Sequence, residues 1–166
     1  MVIKECVMNL VDSDIIEMVE DVVGRTLDTR YDLIFTTKSL IAAVILHPTD
    51  LNEAYTKRAP LEELIVGGGI RRKEAQALAR RVQAERRDGF KNKTANEILS
   101  AHRANFQILY EHVLSAKIRK GLFGISLEFD VNTANGVRGK CKFQLHEAQI
   151  ENVQRLLNLT LPGKVL

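Results

Sequence analysis

The chain has no tryptophan and only six Phe and three Tyr among 166 residues. Leu, Ile, Val and Ala must therefore supply most of any core, and a protein of this length can bury one without disulfides or metal. Cysteine is scarce as well: Cys6 and Cys141 sit among apolar neighbours and form no CxxC pair. That excludes a disulfide framework and a thiolate metal site, and predicts reduced, buried thiols in a reducing cytoplasm. The four histidines, His47, His102, His112 and His146, make no HxxxH pair. No P-loop, complete Rossmann glycine fingerprint or G-x-S-x-G elbow is present. Asp12, Asp14 and Glu17 form an acidic cluster that a capped helix start explains. The expectation is no enzyme, no cofactor and no metal.

Long apolar runs are also missing. SLIAAVIL stops after eight residues, well short of the eighteen or so that span a bilayer. The opening MVIKECVMNLVDSD lacks the basic, apolar and small-residue order of a secretory signal. No membrane partner is expected.

Charge is present in ordinary amount but is unevenly placed. Residues 1–56 carry four Lys/Arg against ten Asp/Glu, residues 57–120 fifteen against seven, and residues 121–166 five against four. An acidic part, a basic part and a near-neutral part follow one another in one domain, 1–166. A basic surface suits polyanions. Acidic and basic surfaces can equally meet within one chain or between copies.

Periodicity predicts an α+β fold, mainly α. A short edge strand is expected over 2–8. A helix capped by Asp12 or Ser13 should run to about Leu27, with Ile15, Met18, Val19, Val22 and Val23 at helical spacing. Further helices are expected over 37–47, ended by Pro48, over 49–58, and over 61–66 after Pro60. The GGG of 67–69 should break the chain before a basic helix over 70–87. Thr94 and Glu97 then form a capping box that opens a long helix to about Arg119, with Leu99, Phe106, Leu109, Val113 and Ala116 on one stripe. Near the C-terminus the period changes to two. Ile125, Leu127, Phe129 and Val131 alternate with polar residues, as do Val137, Cys141, Phe143 and Leu145, around an Asn135-Gly136 turn. This predicts an antiparallel hairpin over about 125–145 with Phe129 and Phe143 buried. A final helix is expected over 146–157.

The basic helix carries the candidate site. Residues 70–89 hold seven Lys/Arg against three Asp/Glu. At 100° per residue, Lys73, Arg80 and Arg87 share a face about 21 Å long. Arg71, Arg72, Lys73, Arg80, Arg81 and Arg87 are the candidate phosphate contacts. Residues 64–78, LIVGGGIRRKEAQAL, carry Gly69-Ile70 followed by Ala75 and Leu78. This stretch resembles the helix-hairpin-helix motif of DNA-binding proteins, whose Gly-apolar-Gly turn offers backbone N–H groups to a phosphate. Arg71 stands where the motif has its second glycine. The functional expectation is a non-enzymatic nucleic-acid-associated protein. The alternative is a structural or assembly subunit, of a viral or other multi-subunit particle, acting through a protein partner or as a homo-oligomer.

Overall fold

The structure, a computed structural model, describes residues 15–24, 29–49, 68–91, 93–122, 124–132 and 136–166; within the long helix, side chains are described from Glu74 onward, Ala75 excepted. The expected strand over 2–8, most of the helix over 49–58, the helix over 61–66, Cys6 and Asn135 lie outside these residues.

The fold is mainly β, which corrects the mainly helical expectation. Among the described residues seven strands form one antiparallel sheet: β1 Ile15–Val23, β2 Arg30–Thr36, β3 Ser39–Leu46, β4 Phe106–Leu109, β5 Val113–Gly121, β6 Gly124–Asn132 and β7 Arg138–Leu145. The α-helices with described bounds are α1 Gly68–Phe90, α2 Ala95–Ala101 and α3 Ile150–Thr160. Among the described residues strand outnumbers helix.

The sheet order is β4-β3-β2-β1-β7-β6-β5. β4 and β5 are thus its two edges, yet only the short 3-10 turn Tyr110–His112 separates them in sequence. Seven flat strands would span about 29 Å at 4.8 Å per gap, whereas the link from Leu109 to Val113 reaches at most about 15 Å. The sheet must curl until its edges approach. Among the described residues its two halves pair at Val23 with Gln144.

The concave side of the curl is the main core. Val19, Leu33, Phe35, Leu40, Leu127, Phe129 and Phe143 are buried in it, and Val153, Leu156 and Leu157 of α3 complete it. The few aromatics are concentrated here: Phe143 packs edge-on against Tyr31 and Phe129 and is stacked on Phe106, at centroid distances of 6.0, 6.4 and 6.1 Å. Such pairs each add about 0.5–1.5 kcal/mol beyond their area. Gly24 permits the close turn beside this cluster, since a Cβ there would stand 2.5 Å from the Tyr31 ring. The tail after α3 seals part of the β5 edge. Ala116 N–H donates to Lys164 O at 2.8 Å, and Leu166 N–H to Ala116 O at 2.9 Å.

A second, smaller cluster lies on the convex side, where Ile34, Ile41 and Ala43 pack against Ala95 and Ile98 of α2, with Phe90 and Leu99 at its margin. β3 is therefore buried along its whole length. Both faces are covered, so its apolar run has no period, as expected for a strand enclosed on two sides. The helix expected over 37–47 is this strand.

Two other expected helices are strands for one shared reason. On β1, Val19 pairs with Leu33 and Val22 with Tyr31, so three steps on one strand match two on its neighbour. The bulge turns Val19 and Val22 to the same side, and a three-residue apolar spacing results without a helix. The extra residue, Asp21, has φ 60, in the left-handed region that few non-glycine residues enter. On β5 a second register shift between Val113 and Ser115 turns Val113 and Ala116 inward together. The long helix expected from Thr94 to Arg119 is thus α2, β4 and β5. Its capping box is real: Thr94 N–H donates to Glu97 Oε2 at 2.7 Å while Thr94 Oγ1 accepts from Glu97 N–H.

The expected C-terminal hairpin and helix are present, except that Val137 is exposed and precedes β7 and the helix runs over Ile150–Thr160 and not 146–157. β6 and β7 pair from Ile125–Leu145 to Asn132–Arg138, with Phe129 and Phe143 each 1% exposed. α3 follows a short 3-10 turn at Glu147–Gln149. Truncating Phe129 or Phe143 to Ala should each cost about 3–5 kcal/mol, since both the transfer term and a cavity are involved. Denaturant midpoints of the two variants would check this, and wild-type midpoints would contradict the core assignment.

Candidate nucleic-acid interface

α1 runs unbroken over 23 residues, about 34 Å at 1.5 Å per residue. Gly69, Ile70 and Arg71 are helical, so the Gly-apolar-Gly type of turn is not formed at these positions. The helix is fixed to the sheet near its C-terminal end. Arg87 reaches β2 and holds Asp32 in a two-pronged pair, Nε to Oδ2 at 2.7 Å and Nη2 to Oδ1 at 2.9 Å.

Asp32 is fully buried on the convex side, where an unpaired carboxylate would be costly. A third donor completes its shell: the N–H of Asp21, presented by the bulge, donates to Oδ1 at 2.9 Å. Arg30 in turn grips both carboxylate oxygens of Asp21 at 2.9 Å, and Glu20 lies 3.5 Å from Arg87 Nη1. The bond to Asp32 raises the Arg87 pKa above its ordinary value against the opposing effect of burial. Arg87 therefore serves as the anchor of α1, with its planar fork filled by a carboxylate.

The remaining candidates are placed differently. Arg80 and Arg81 are exposed, and Arg81 Nε pairs with Glu85 at 2.8 Å. Arg71, Arg72 and Lys73 lie on the first turns of the helix, with their side chains outside the described residues. Leu78, Val82, Arg86 and Phe90 form the half-buried side. A groove of about 220 Å³ opens beside α1's last turns, bordered by Arg86, Phe90, Lys93, His102 and Asn105. Asn105 ties this region together by accepting from Val44 N–H at 2.7 Å and donating to Ile98 O at 2.5 Å.

The acidic first third is met inside the chain wherever it is described. Glu17 accepts from Asn152 at 2.7 Å and from Arg155 of α3. Glu20 and Asp32 share Arg87, and Asp21 has Arg30.

One basic surface extends beyond the polar hairpin face that the alternation predicts, because residues 113–119 form a strand and not the expected helix. On the convex side of β5, Lys117 and Arg119 alternate with inward residues. Across β6 they face Lys140 and Lys142 of β7, with Glu128 and Asp130 between the two rows. The period-two signal at 117–119 was available in the sequence. The adjoining bulge masked it. Among the described residues, no group of three or more His, Cys, Asp or Glu could hold a metal ion, and no helix is long and apolar enough to cross a membrane. Comparison with known proteins finds no match: no protein-family model, curated protein or solved structure matches this chain.

Two expectations follow. Arg87→Ala should cost about 3–5 kcal/mol, because Asp32 is left buried without its countercharge. The double change Arg87→Met with Asp32→Leu should lie much closer to wild type. A chemical-denaturation cycle checks both, and additive losses would show that the pair is not coupled. The second concerns pH. The bonds from Asn152 and then Arg155 hold the Glu17 carboxyl below its usual 4.5. A lowered folded pKa gives stability that is present above the unfolded value and is lost as pH falls through the folded one. Unfolding midpoints should thus drop below about pH 4.5, and Glu17→Gln should flatten that drop. An identical acid limb in the variant would contradict this role.

Proposed function

We propose that the chain is a non-enzymatic, nucleic-acid-associated protein that takes hold of backbone phosphates through residues 71–81 of α1. The observation carrying this reading is the charge gradient along that helix. Its first turn has no acidic residue. Positions 71–81 hold Arg71, Arg72, Lys73, Arg80 and Arg81 against Glu74 alone, a balance of +4. The positive end of the helix dipole coincides with the start of this cationic stretch. Toward the other end Glu85 and Asp88 are exposed, and Arg87 is engaged by Asp32, so the contact set excludes the last turns. Phosphates met this way carry no sequence information, and binding should be indifferent to base order.

An assembly role through acid-to-base contacts between copies has less support, since the described acids of the first third already have partners within the chain.

Fluorescence anisotropy with labelled duplex DNA and RNA is the test. Binding is expected at about 50 mM salt and should weaken steeply with added salt. Replacing Arg80 and Arg81 together by Ala should flatten the plot of log affinity against log salt by up to about 1.8, at roughly 0.9 per phosphate contact. Absence of binding to either duplex at low salt would overturn the proposal.

A further inference from the structure

We infer that the convex face of β5, β6 and β7 is a second polyanion-binding surface, shaped for the phosphate backbone of a nucleic acid. It stands apart from α1 and goes beyond the role proposed for that helix.

The face is mostly polar. Its outward positions are Leu114, Ser115, Lys117 and Arg119 on β5, Ser126, Glu128, Asp130 and Asn132 on β6, and Arg138, Lys140, Lys142 and Gln144 on β7. Leu114, at the β5 bulge, is the one large apolar side chain among them, 46% exposed. Five cations and two carboxylates give a balance of +3. Among the described elements none packs over it: α3 fills the concave side, and α1 and α2 lie against β2 and β3. Arg119, Lys140 and Lys142 have side chains 63%, 77% and 51% exposed.

The arrangement is ordered in rows. Strands about 4.8 Å apart put the β5 and β7 cations about 9.6 Å from each other, and along each row neighbours repeat every 6.6–6.8 Å or so. The acidic row between them holds the cations in place from both sides. Glu128 lies 3.1 Å from Lys142 and 3.8 Å from Arg119, while Asp130 lies 3.7 Å from Lys117 and 3.8 Å from Lys140. The hydrogen bond from Lys142 lowers the Glu128 pKa, so Glu128 keeps its charge in this setting.

Two carboxylates shared among four cations neutralise them only in part, and Arg138 adds to the excess. A chain of regularly spaced monoanions complements such rows. The outward positions include no aromatic for base stacking, and a single apolar side chain, Leu114, is too little surface for burial in a bilayer interface. The regular cation rows therefore favour a nucleic-acid backbone, contacted without regard to sequence.

The test compares three proteins against a labelled duplex of about 20 base pairs across roughly 50–200 mM salt: wild type, the sheet variant Arg119→Gln/Lys140→Gln/Lys142→Gln, and Arg80→Ala/Arg81→Ala. The sheet variant should bind about tenfold or more weakly, with a salt slope lower by about 2.7. Denaturant midpoints confirm that it is folded. Should it fail to fold, acetylation of wild-type lysines replaces it. DNA should then shield Lys140 and Lys142 but not Lys91, which is 72% exposed beside Asp88. Wild-type affinity in the folded sheet variant, or unshielded Lys140 and Lys142, overturns the inference and leaves the α1 proposal to its own variant. Loss in the sheet variant alone supports the face and removes α1. Binding to vesicles containing phosphatidylserine without binding to the duplex overturns both.

Discussion

The seating of α1 on the sheet depends on one buried carboxylate. Asp32 points outward from β2 under the helical layer, where water is excluded, and among the described residues Arg87 and the Asp21 N–H make that position tolerable. The requirement works in both directions. Arg87 must face the sheet, which fixes the rotation of α1 about its own axis. Arg80 lies on the same side of the helix two turns earlier and Arg81 a further 100° round, and both are exposed there. Asp21 must enter the left-handed region to present its N–H, so the β1 bulge belongs to the same arrangement. A long helix, a bulge and a central strand are thereby joined around a single ionic centre.

How much of this was legible in the sequence follows from where the alternation is regular. In β6 and β7 inward and outward residues alternate without interruption from Ile125 to Val131 and from Gly139 to Leu145, and the hairpin could be read directly. In β1 and β5 the bulges bring residues three apart to the same side, and Val19 with Val22, or Val113 with Ala116, then imitate a helical stripe. β3 has no period because helices cover one of its faces and the curled sheet covers the other. The curl itself is a tertiary property that no local pattern announces. At the candidate site, sequence periodicity put Lys73, Arg80 and Arg87 on one face, which holds for a helix. Which side of that helix meets the sheet depends on Asp32, fifty-five residues away. The charged face of the hairpin, Glu128 and Asp130 opposite Arg138, Lys140 and Lys142, is legible in the alternation, but the β5 row, Lys117 and Arg119, lies in a segment whose spacing imitates a helix.

The uneven charge along the chain resolves locally. The described acids of the first third are matched by Arg30 nearby, by Arg87 from the basic middle and by Arg155 from α3. What was a gradient along the sequence is a set of short-range neutralisations in space. Among the described residues, positive charge is in excess on the convex face of β5 to β7, where regular strands hold the side chains at fixed intervals.

The closure of the sheet has a consequence for the order in which the protein is made. β1 to β3 emerge early, with Leu33, Phe35 and Leu40 directed toward a space that nothing yet fills. Their partners, Leu127, Phe143 and Leu156, arrive about a hundred residues later, at a synthesis rate of roughly 5–20 residues per second. For several seconds the first meander therefore carries an uncovered apolar face on the ribosome. Val23 cannot meet Gln144 until the last strand has emerged. A chain built this way depends on late contacts between distant residues, the condition that slows folding most, and its early half is the part that chaperones would have reason to hold.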